Sequence, residues 1–249
     1  MERYGHTTPD GKIEKRIKKA SFDYTDVEIL VGRLNHVSYI LPHLKCHLCS
    51  LYRWLISWKK RKALRPTPPD VLADLTLWVS TLESFEHTRI INYGPPVDIG
   101  WVGDASTSFG IGILIGKKWA QFKLHDPRSN PLRISFLETV AIRLGLLMIL
   151  DLRDQRGKTL VVWTDNTTTE NSINNKKSRD ILANDEWMKI QTILVKNGVE
   201  LQAKRVTSKN NKADALSRGI RSGQHVNQQI VIDVPGDLKE ILIQVVFKV

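Results

Sequence analysis

The sequence has few cysteines and no long apolar run, the features on which secreted and membrane proteins respectively depend. Only 2 cysteines occur among 249 residues, too few to cross-link a chain of this length, and such usage is typical of a reducing compartment. No apolar run is long enough to cross a bilayer. The N-terminal segment MERYGHTTPDGKIEKRIKK also lacks the apolar core of a signal peptide. We therefore predict an intracellular protein, of the nucleus or the cytoplasm, with no membrane partner.

Acidic residues are in the minority. The chain has 26 Asp and Glu against 37 Lys and Arg, a formal net charge of +11. A surplus of this size makes a polyanion the first partner to consider, nucleic acid before membrane, although a basic but inert surface is the alternative. The densest basic run, in WKKRKALRPTPPD, contains Lys59, Lys60, Arg61 and Lys62. It is open to three interpretations: a nucleic-acid contact, a nuclear-import signal or a solvated loop.

The spacing of apolar residues changes character near Asp98. Upstream, steps of three and four from Val27 to Leu55 predict helix that is interrupted at Pro42, and PPDVLADLTLWVSTLESF predicts another helix. Downstream, the patterns predict three strands, a helix, a strand, a short helix, a helix, a strand and a last helix. We expect an α/β protein in three parts: a basic helical unit (1–92), a mixed-sheet domain (93–222) and an apolar C-terminal extension (223–249) that docks on the body or on a partner protein.

Four acidic residues lie at the ends or beginnings of these elements: Asp104, Glu138, Asp165 and Asp214. Asp104 and Asp165 end the first and fourth strands, which can lie side by side and parallel, so their carboxyl ends would form one crevice. Clustered carboxylates repel one another unless a cation compensates them. Oxygen ligands favour Mg²⁺ or Mn²⁺, and two such ions can serve an in-line phosphoryl displacement. The alternative is four unrelated turn and surface acids.

Polar residues accompany the strand-end acids. Ser106 and Thr107 follow the first acid, and Asn166 follows the third. They could bind sugar or phosphate, or they could simply form turns, which these residue types favour.

Four ordered motifs connect these acids to a known family: WVGDASTSFGIGILI, ISFLETVAI, VVWTDNTTTENSI and VTSKNNKADALSRG. Together they resemble the ribonuclease H domain of retroelement reverse transcriptases, over about residues 97–219. The resemblance implies a five-stranded mixed sheet of order 3-2-1-4-5, flanked by helices. It also implies an endonuclease that cleaves the RNA strand of an RNA·DNA hybrid with two Mg²⁺ or Mn²⁺ ions. The four acids would then be both the catalytic and the metal-binding residues.

The upstream segment extends the resemblance. VEILVGRLNHVSYILPHLKCHLCSLYRWL is similar to the helical region after the polymerase palm, most of all in DIRS-type tyrosine-recombinase retroelements. The polymerase motif Tyr-x-Asp-Asp is lacking, since YTDVE at Tyr24 has a single Asp in this place. We therefore expect no polymerase activity, and a chain that corresponds to the C-terminal part of a reverse transcriptase, as a fragment or as a domesticated gene. The polymerase part is the implied partner.

One departure from the family keeps other hypotheses open. Many ribonucleases H carry a His in the loop before the last acid, whereas the loop here, VTSKNN, has none. Lys209 or Asn211 could take its place. Besides the active hydrolase, two hypotheses remain: a catalytically idle domain of this fold that binds nucleic acid or a partner protein, and another nuclease of the fold, such as a junction resolvase or a transposase.

Overall fold

The computed structural model describes residues 21–84, 93–127 and 133–248. The chain divides into two compact units, Met1–Ile90 and Ile91–Val249. The polar N-terminal segment 1–20 lies outside the described residues. In the described ranges, no helix combines the length and the apolar character that crossing a bilayer requires.

The first unit is helical, as the spacing of its apolar residues predicted. Its elements are α1 (Tyr24–Val37), a 3-10 helix (Pro42–Leu48), α2 (Cys49–Ile56) and α3 (Pro69–Glu83). The predicted interruption at Pro42 is confirmed, because the proline begins the 3-10 helix. Trp54 and Trp78 are buried in the core that these helices share. Because both indole rings are buried, they pack within the core and cannot stack on a ligand.

The second unit alternates strands and helices in the predicted order. Its elements are β1 (Val97–Ala105), β2 (Gly110–Ile115), β3 (Lys118–Leu124), α4 (Ile134–Leu152), β4 (Thr159–Thr164), α5 (Thr167–Asn175), α6 (Ile181–Asn197), β5 (Glu200–Arg205), α7 (Asp214–Ser217) and β6 (Leu242–Gln244). Gly198 and Gly219, with φ of 60° and 88°, follow α6 and α7 in the left-handed conformation that glycine adopts at helix ends.

All six strands form one mixed sheet in the order β5-β4-β1-β2-β3-β6. β4 lies parallel to both β1 and β5, and the other pairs are antiparallel. The mixed α/β class is thereby confirmed. The expected five-stranded sheet of order 3-2-1-4-5 is wrong as stated, because β6 adds a sixth strand beyond β3. The backbone of Phe122–Leu124 pairs with Gln244–Leu242, so the otherwise open edge of β3 is covered.

The C-terminal extension is fixed to the second unit by polar contacts as well. Arg143 on α4 donates to Glu186 on α6 at 2.8 Å and to both carboxylate oxygens of Asp237 at 2.8 and 3.0 Å. The indole of Trp119 on β3 donates to the His225 carbonyl at 2.8 Å. The extension therefore docks on the body of its own unit.

Helix α4 packs against β1 closely enough that one helical position requires glycine. A Cβ at Gly145 would come within 2.4 Å of the Trp101 indole nitrogen, whereas a Cβ at Gly103 would meet Ala141 at an ordinary van der Waals distance of 3.5 Å. The close approach fixes the start of α4, which carries Glu138, above the carboxyl end of β1.

Candidate active site

The four predicted acids converge on one pocket at the carboxyl ends of β1 and β4. Asp104, Glu138, Asp165 and Asp214 line a cavity of about 290 Å³ together with Ala105, Asn166, Ser208 and Arg218. The acids come from four separate parts of the chain, the end of β1, α4, the end of β4 and the start of α7. None of the described residues that line this pocket is a cysteine or a histidine.

Parallel pairing of β1 with β4 brings the two strand-end acids together. Trp101 pairs with Val162 and Val102 with Trp163, and the same offset places Asp104 level with Asp165. β4 is largely buried and β1 is buried mainly over its second half, so each acid lies at the buried end of its strand. The alignment follows from sheet geometry and does not need any contact between the acids themselves.

The carboxyl group of Glu138 is strongly perturbed by its surroundings. Its side chain lies on the buried face of α4, and the residue is 4% exposed. Burial, together with the charges of Asp104 and Asp165, raises its pKa to about 9, against an opposing backbone hydrogen bond at Ala105. Without a compensating cation, Glu138 is therefore protonated at neutral pH.

Asp214 is carried to the pocket by a close contact between α7 and β2. A Cβ at Gly112 on β2 would lie 2.5 Å from the Leu216 Cβ and 2.6 Å from the Ser217 backbone nitrogen. The Gln121 amide on β3 donates to the Leu216 carbonyl at 2.7 Å and holds α7 in place. The short helix is thus positioned by the sheet beneath it.

The protein's own donors occupy the carboxylates. The Asn211 amide nitrogen donates to Asp104 Oδ1 at 2.7 Å and to Asp165 Oδ1 at 3.0 Å, and the Ser217 hydroxyl donates to Asp104 Oδ2. Burial raises the pKa of Asp104, the hydrogen bonds from Ser217 and Asn211 oppose this shift, and the charges of Asp165 and Asp214 add to it. The network therefore compensates the carboxylates only in part.

Asp214 has a separate partner. The Arg218 guanidinium, one helical turn later, contacts Asp214 Oδ1 at 2.9 Å, and both side chains are substantially exposed. An exposed pair at this spacing contributes little to stability. Its effect is to place a cation at the rim of the pocket.

In the described part of the chain, no three His, Cys, Asp or Glu side chains are arranged to hold a metal ion. Hydrogen bonds occupy three of the acids instead. Asn211 separates Asp104 from Asp165, and Arg218 holds Asp214 to its own helix. The four acids thus share a pocket but not the close spacing of ligands around one ion.

Of the predicted flanking residues, only Asn166 lines the pocket. Its side chain accepts from the backbone of Thr168 at 2.8 Å and of Thr169 at 3.2 Å, so it also caps α5. Ser106 is hydrogen-bonded to the Ser108 hydroxyl at 2.7 Å. Thr107 is exposed, as is Lys209 in the 3-10 turn Ser208–Asn210. Neither these two nor Ser106 lines the cavity.

The predicted basic residues belong to the first unit. Lys59, Lys60, Arg61 and Lys62 are exposed after α2. Arg61 lies over the Tyr24 ring at 4.5 Å, and Arg65 lies over the Trp58 ring at 4.9 Å. No acidic residue occurs between Arg53 and Asp70, so the segment keeps its positive charge along its whole length.

Three polar residues of the site were not predicted: Ser208, Ser217 and Arg218. Ser217 and Arg218 follow Asp214 by three and four residues, and this spacing places them beside it on a helix. The spacing could have identified both. Ser208 lies in a turn and has no pattern that distinguishes it from other loop serines.

The pocket combines four carboxylates with an amide and a guanidinium, a donor set suited to a hard cation and a phosphate rather than to covalent catalysis by Cys or His. This chemistry, and not a relative, is the basis for interpreting the site. A scan against protein-family models and a search of curated proteins both found no match for the chain.

Proposed function

We propose that the chain is a metal-dependent endonuclease of ribonuclease H type, which hydrolyses the RNA strand of an RNA·DNA hybrid. The observation that carries the proposal is the convergence of Asp104, Glu138, Asp165 and Asp214 on one pocket. The succession β3-β2-β1-β4-β5 within the six-stranded sheet supports a ribonuclease H-like interpretation, with β6 as an addition.

The four side chains are of the type that a divalent cation prefers, although they are not spaced as ligands of one ion in this metal-free arrangement. All four acids are oxygen ligands, and the raised pKa values of Glu138 and Asp104 indicate carboxylates that nearby charge does not compensate. These four residues would hold Mg²⁺ or Mn²⁺. Two ions held there would supply activation of the attacking water and stabilisation of the departing oxygen.

The chain's own residues then have distinct tasks. Glu138 would hold the cation as a carboxylate, its proton having passed to solvent, and Asp104 would hold it in place of its present hydrogen bonds from Asn211 and Ser217. Arg218, at the rim, is proposed to contact a substrate phosphate. Ser106, Thr107, Asn166 and Lys209 are proposed to contact sugar and phosphate around the pocket. The RNA strand would be distinguished by its 2′-hydroxyls and groove shape.

Lys59, Lys60, Arg61 and Lys62 are proposed to hold the nucleic-acid backbone. The stacking of Arg61 on Tyr24 fixes one guanidinium, and the exposed lysines beside it supply further charge. The polymerase part of a reverse transcriptase, in the nucleus or the cytoplasm, is the proposed protein partner. No polymerase activity is proposed for this chain.

A cleavage assay tests the function. With Mg²⁺, the protein should cut the RNA strand of a labelled hybrid, and Asp165→Asn should reduce the rate at least about a hundredfold because it removes a charged ligand. Asp151→Asn, at an exposed position on α4, is the control and should cleave normally. Duplex DNA and four-way junctions, offered in parallel, test the resolvase and transposase hypotheses.

A second candidate is a catalytically idle domain that binds nucleic acid or a partner protein. It is favoured by the hydrogen bonds of Asn211 and the ion pair of Arg218, which satisfy three of the acids without metal. In that case, hybrid binding persists while neither the wild type nor Asp165→Asn cleaves. Cleavage by the wild type but not by Asp165→Asn rejects this candidate.

A further inference from the structure

Asn211 is held with its amide facing the acids. It lies in the loop between β5 and α7, directly after the 3-10 turn Ser208–Asn210. Its side-chain oxygen accepts from the Ala213 backbone at 3.1 Å, and the residue is only 6% exposed. The side chain therefore has one orientation in which both of its ends are satisfied, and in that orientation the NH₂ group points between Asp104 and Asp165.

The amide nitrogen lies between the two carboxylates. It donates to Asp104 Oδ1 at 2.7 Å and to Asp165 Oδ1 at 3.0 Å. Since the two N–H bonds of a planar amide diverge by about 120°, these oxygens are roughly 5 Å apart. One Mg²⁺ with ligands at about 2.0–2.1 Å can join two oxygens at most about 4 Å apart. The amide and a shared ion thus exclude each other.

We infer that Asn211 is a positioning residue that holds Asp104 and Asp165 together without metal, and that its amide must withdraw before one cation can join the two carboxylates. The inference rests on the proposed metal-dependent function. It adds a property of this chain: Asn211 stabilises the metal-free protein and, for the same reason, weakens metal binding.

The effects of Asn211 on stability and on metal affinity both follow from thermodynamic linkage between the metal-free and metal-bound states. Hydrogen bonds that exist only in the metal-free state stabilise that state alone, so the apparent affinity for metal falls by the corresponding factor. A residue that merely supported the ligands in both states would have the opposite effect when removed, because a looser site binds metal less tightly. The sign of the change in affinity therefore separates the two roles.

The test is Mn²⁺ binding by calorimetric titration, with thermal unfolding measured in the absence and presence of Mn²⁺. Asn211→Ala should lower the Tm of the metal-free protein and tighten Mn²⁺ binding about tenfold, given the usual strength of hydrogen bonds to charged groups. Asn210→Ala is the matched control, since Asn210 is the exposed neighbour in the same turn, and it should change neither quantity.

A second variant addresses the Ala213 hydrogen bond, which Asn211→Ala also removes. Asn211→Ser keeps an oxygen that can accept from the Ala213 backbone, adds no charge, and is too short to donate to both acids at once, so it decides the question if Asn211→Ala does not fold. Its Tm should rise more on addition of Mn²⁺ than the Tm of Asn210→Ser. Unchanged or weaker Mn²⁺ binding by a folded Asn211→Ala, or equal Tm shifts of the two Ser variants, overturns the role of Asn211 alone. Failure of the wild type to bind Mn²⁺ overturns the metal-dependent function as well.

Discussion

At the scale of single residues, the buried carboxyl of Glu138 is the most informative group. Burial and two neighbouring acids raise its pKa to about 9 from an ordinary 4.5. Because the folded-state pKa is the higher one, the folded protein binds more protons than the unfolded chain between these values. The stabilising contribution is complete below about pH 4.5 and is lost as the pH rises toward about 9.

We therefore expect Glu138→Gln to unfold at a higher temperature than the wild type at about pH 8 without metal, and the difference to vanish at about pH 4.5. The amide cannot ionise, so the variant does not have to take up a proton when it folds at about pH 8. Circular dichroism melts across this pH range measure the effect, with Glu240→Gln as an exposed control. Equal melting temperatures for Glu138→Gln and the wild type at about pH 8 would contradict this explanation.

Individual acids could be predicted from the sequence, but their partners could not. Asp104 and Asp165 each end an apolar run, and that pattern is local. Asn211 bridges them only because the loop before α7 returns to the same crevice. Nothing in VTSKNN encodes this contact, since it depends on the packing of α7 against β2.

At the scale of elements, the contact between α7 and β2 determines where Asp214 lies. Gly112→Ala would bring a methyl group against the backbone of Ser217 and against Leu216. We expect α7 to be displaced, with a loss of stability of about 1–3 kcal/mol, typical of overpacking, and with weaker Mn²⁺ binding through Asp214.

Chemical denaturation and Mn²⁺ titration of Gly112→Ala measure the two effects. Gly236→Ala is the matched control, because a Cβ at Gly236 meets nothing within 4 Å. A Gly112→Ala protein with wild-type stability would show that the close contact does not position the helix.

The elements themselves were predictable to different degrees. Short apolar runs predicted β1 to β4, alternation in VELQAKRVT predicted β5, and long helical stripes predicted the main helices, because these patterns reflect burial. β6 was missed for a physical reason. It has only three residues, and its pairing with Phe122–Leu124 is a tertiary contact. In the extension, the buried Ile230, Val234, Leu238 and Leu242 keep a spacing of four that resembles a helix, although the chain there is largely irregular.

At the scale of the whole molecule, the excess of positive charge is the leading feature. Much of it is concentrated in the exposed segment with Lys59, Lys60 and Lys62, in the first unit. If this segment holds a nucleic-acid backbone, its lysines release counterions on binding, and the affinity depends on salt accordingly.

We expect replacement of Lys59, Lys60 and Lys62 by Ala to weaken hybrid binding and to reduce the slope of log affinity against log salt by about 2–3, close to one for each phosphate that the protein no longer neutralises. Fluorescence anisotropy at several salt concentrations gives the slope. The control variant replaces three exposed lysines of the second unit by Ala, which lowers the net charge by the same amount: Lys117, Lys118 and Lys123. An equal reduction in both triple variants would indicate a general effect of net charge and no dedicated surface.

The most direct test of the central claim is the anomalous diffraction of crystals soaked in Mn²⁺. We predict two Mn²⁺ ions among Asp104, Glu138, Asp165 and Asp214, with the Asn211 amide withdrawn from the space between Asp104 and Asp165. Saturating Mn²⁺ that leaves no anomalous density at these four carboxylates would contradict the proposal that the pocket is a metal-dependent nuclease site.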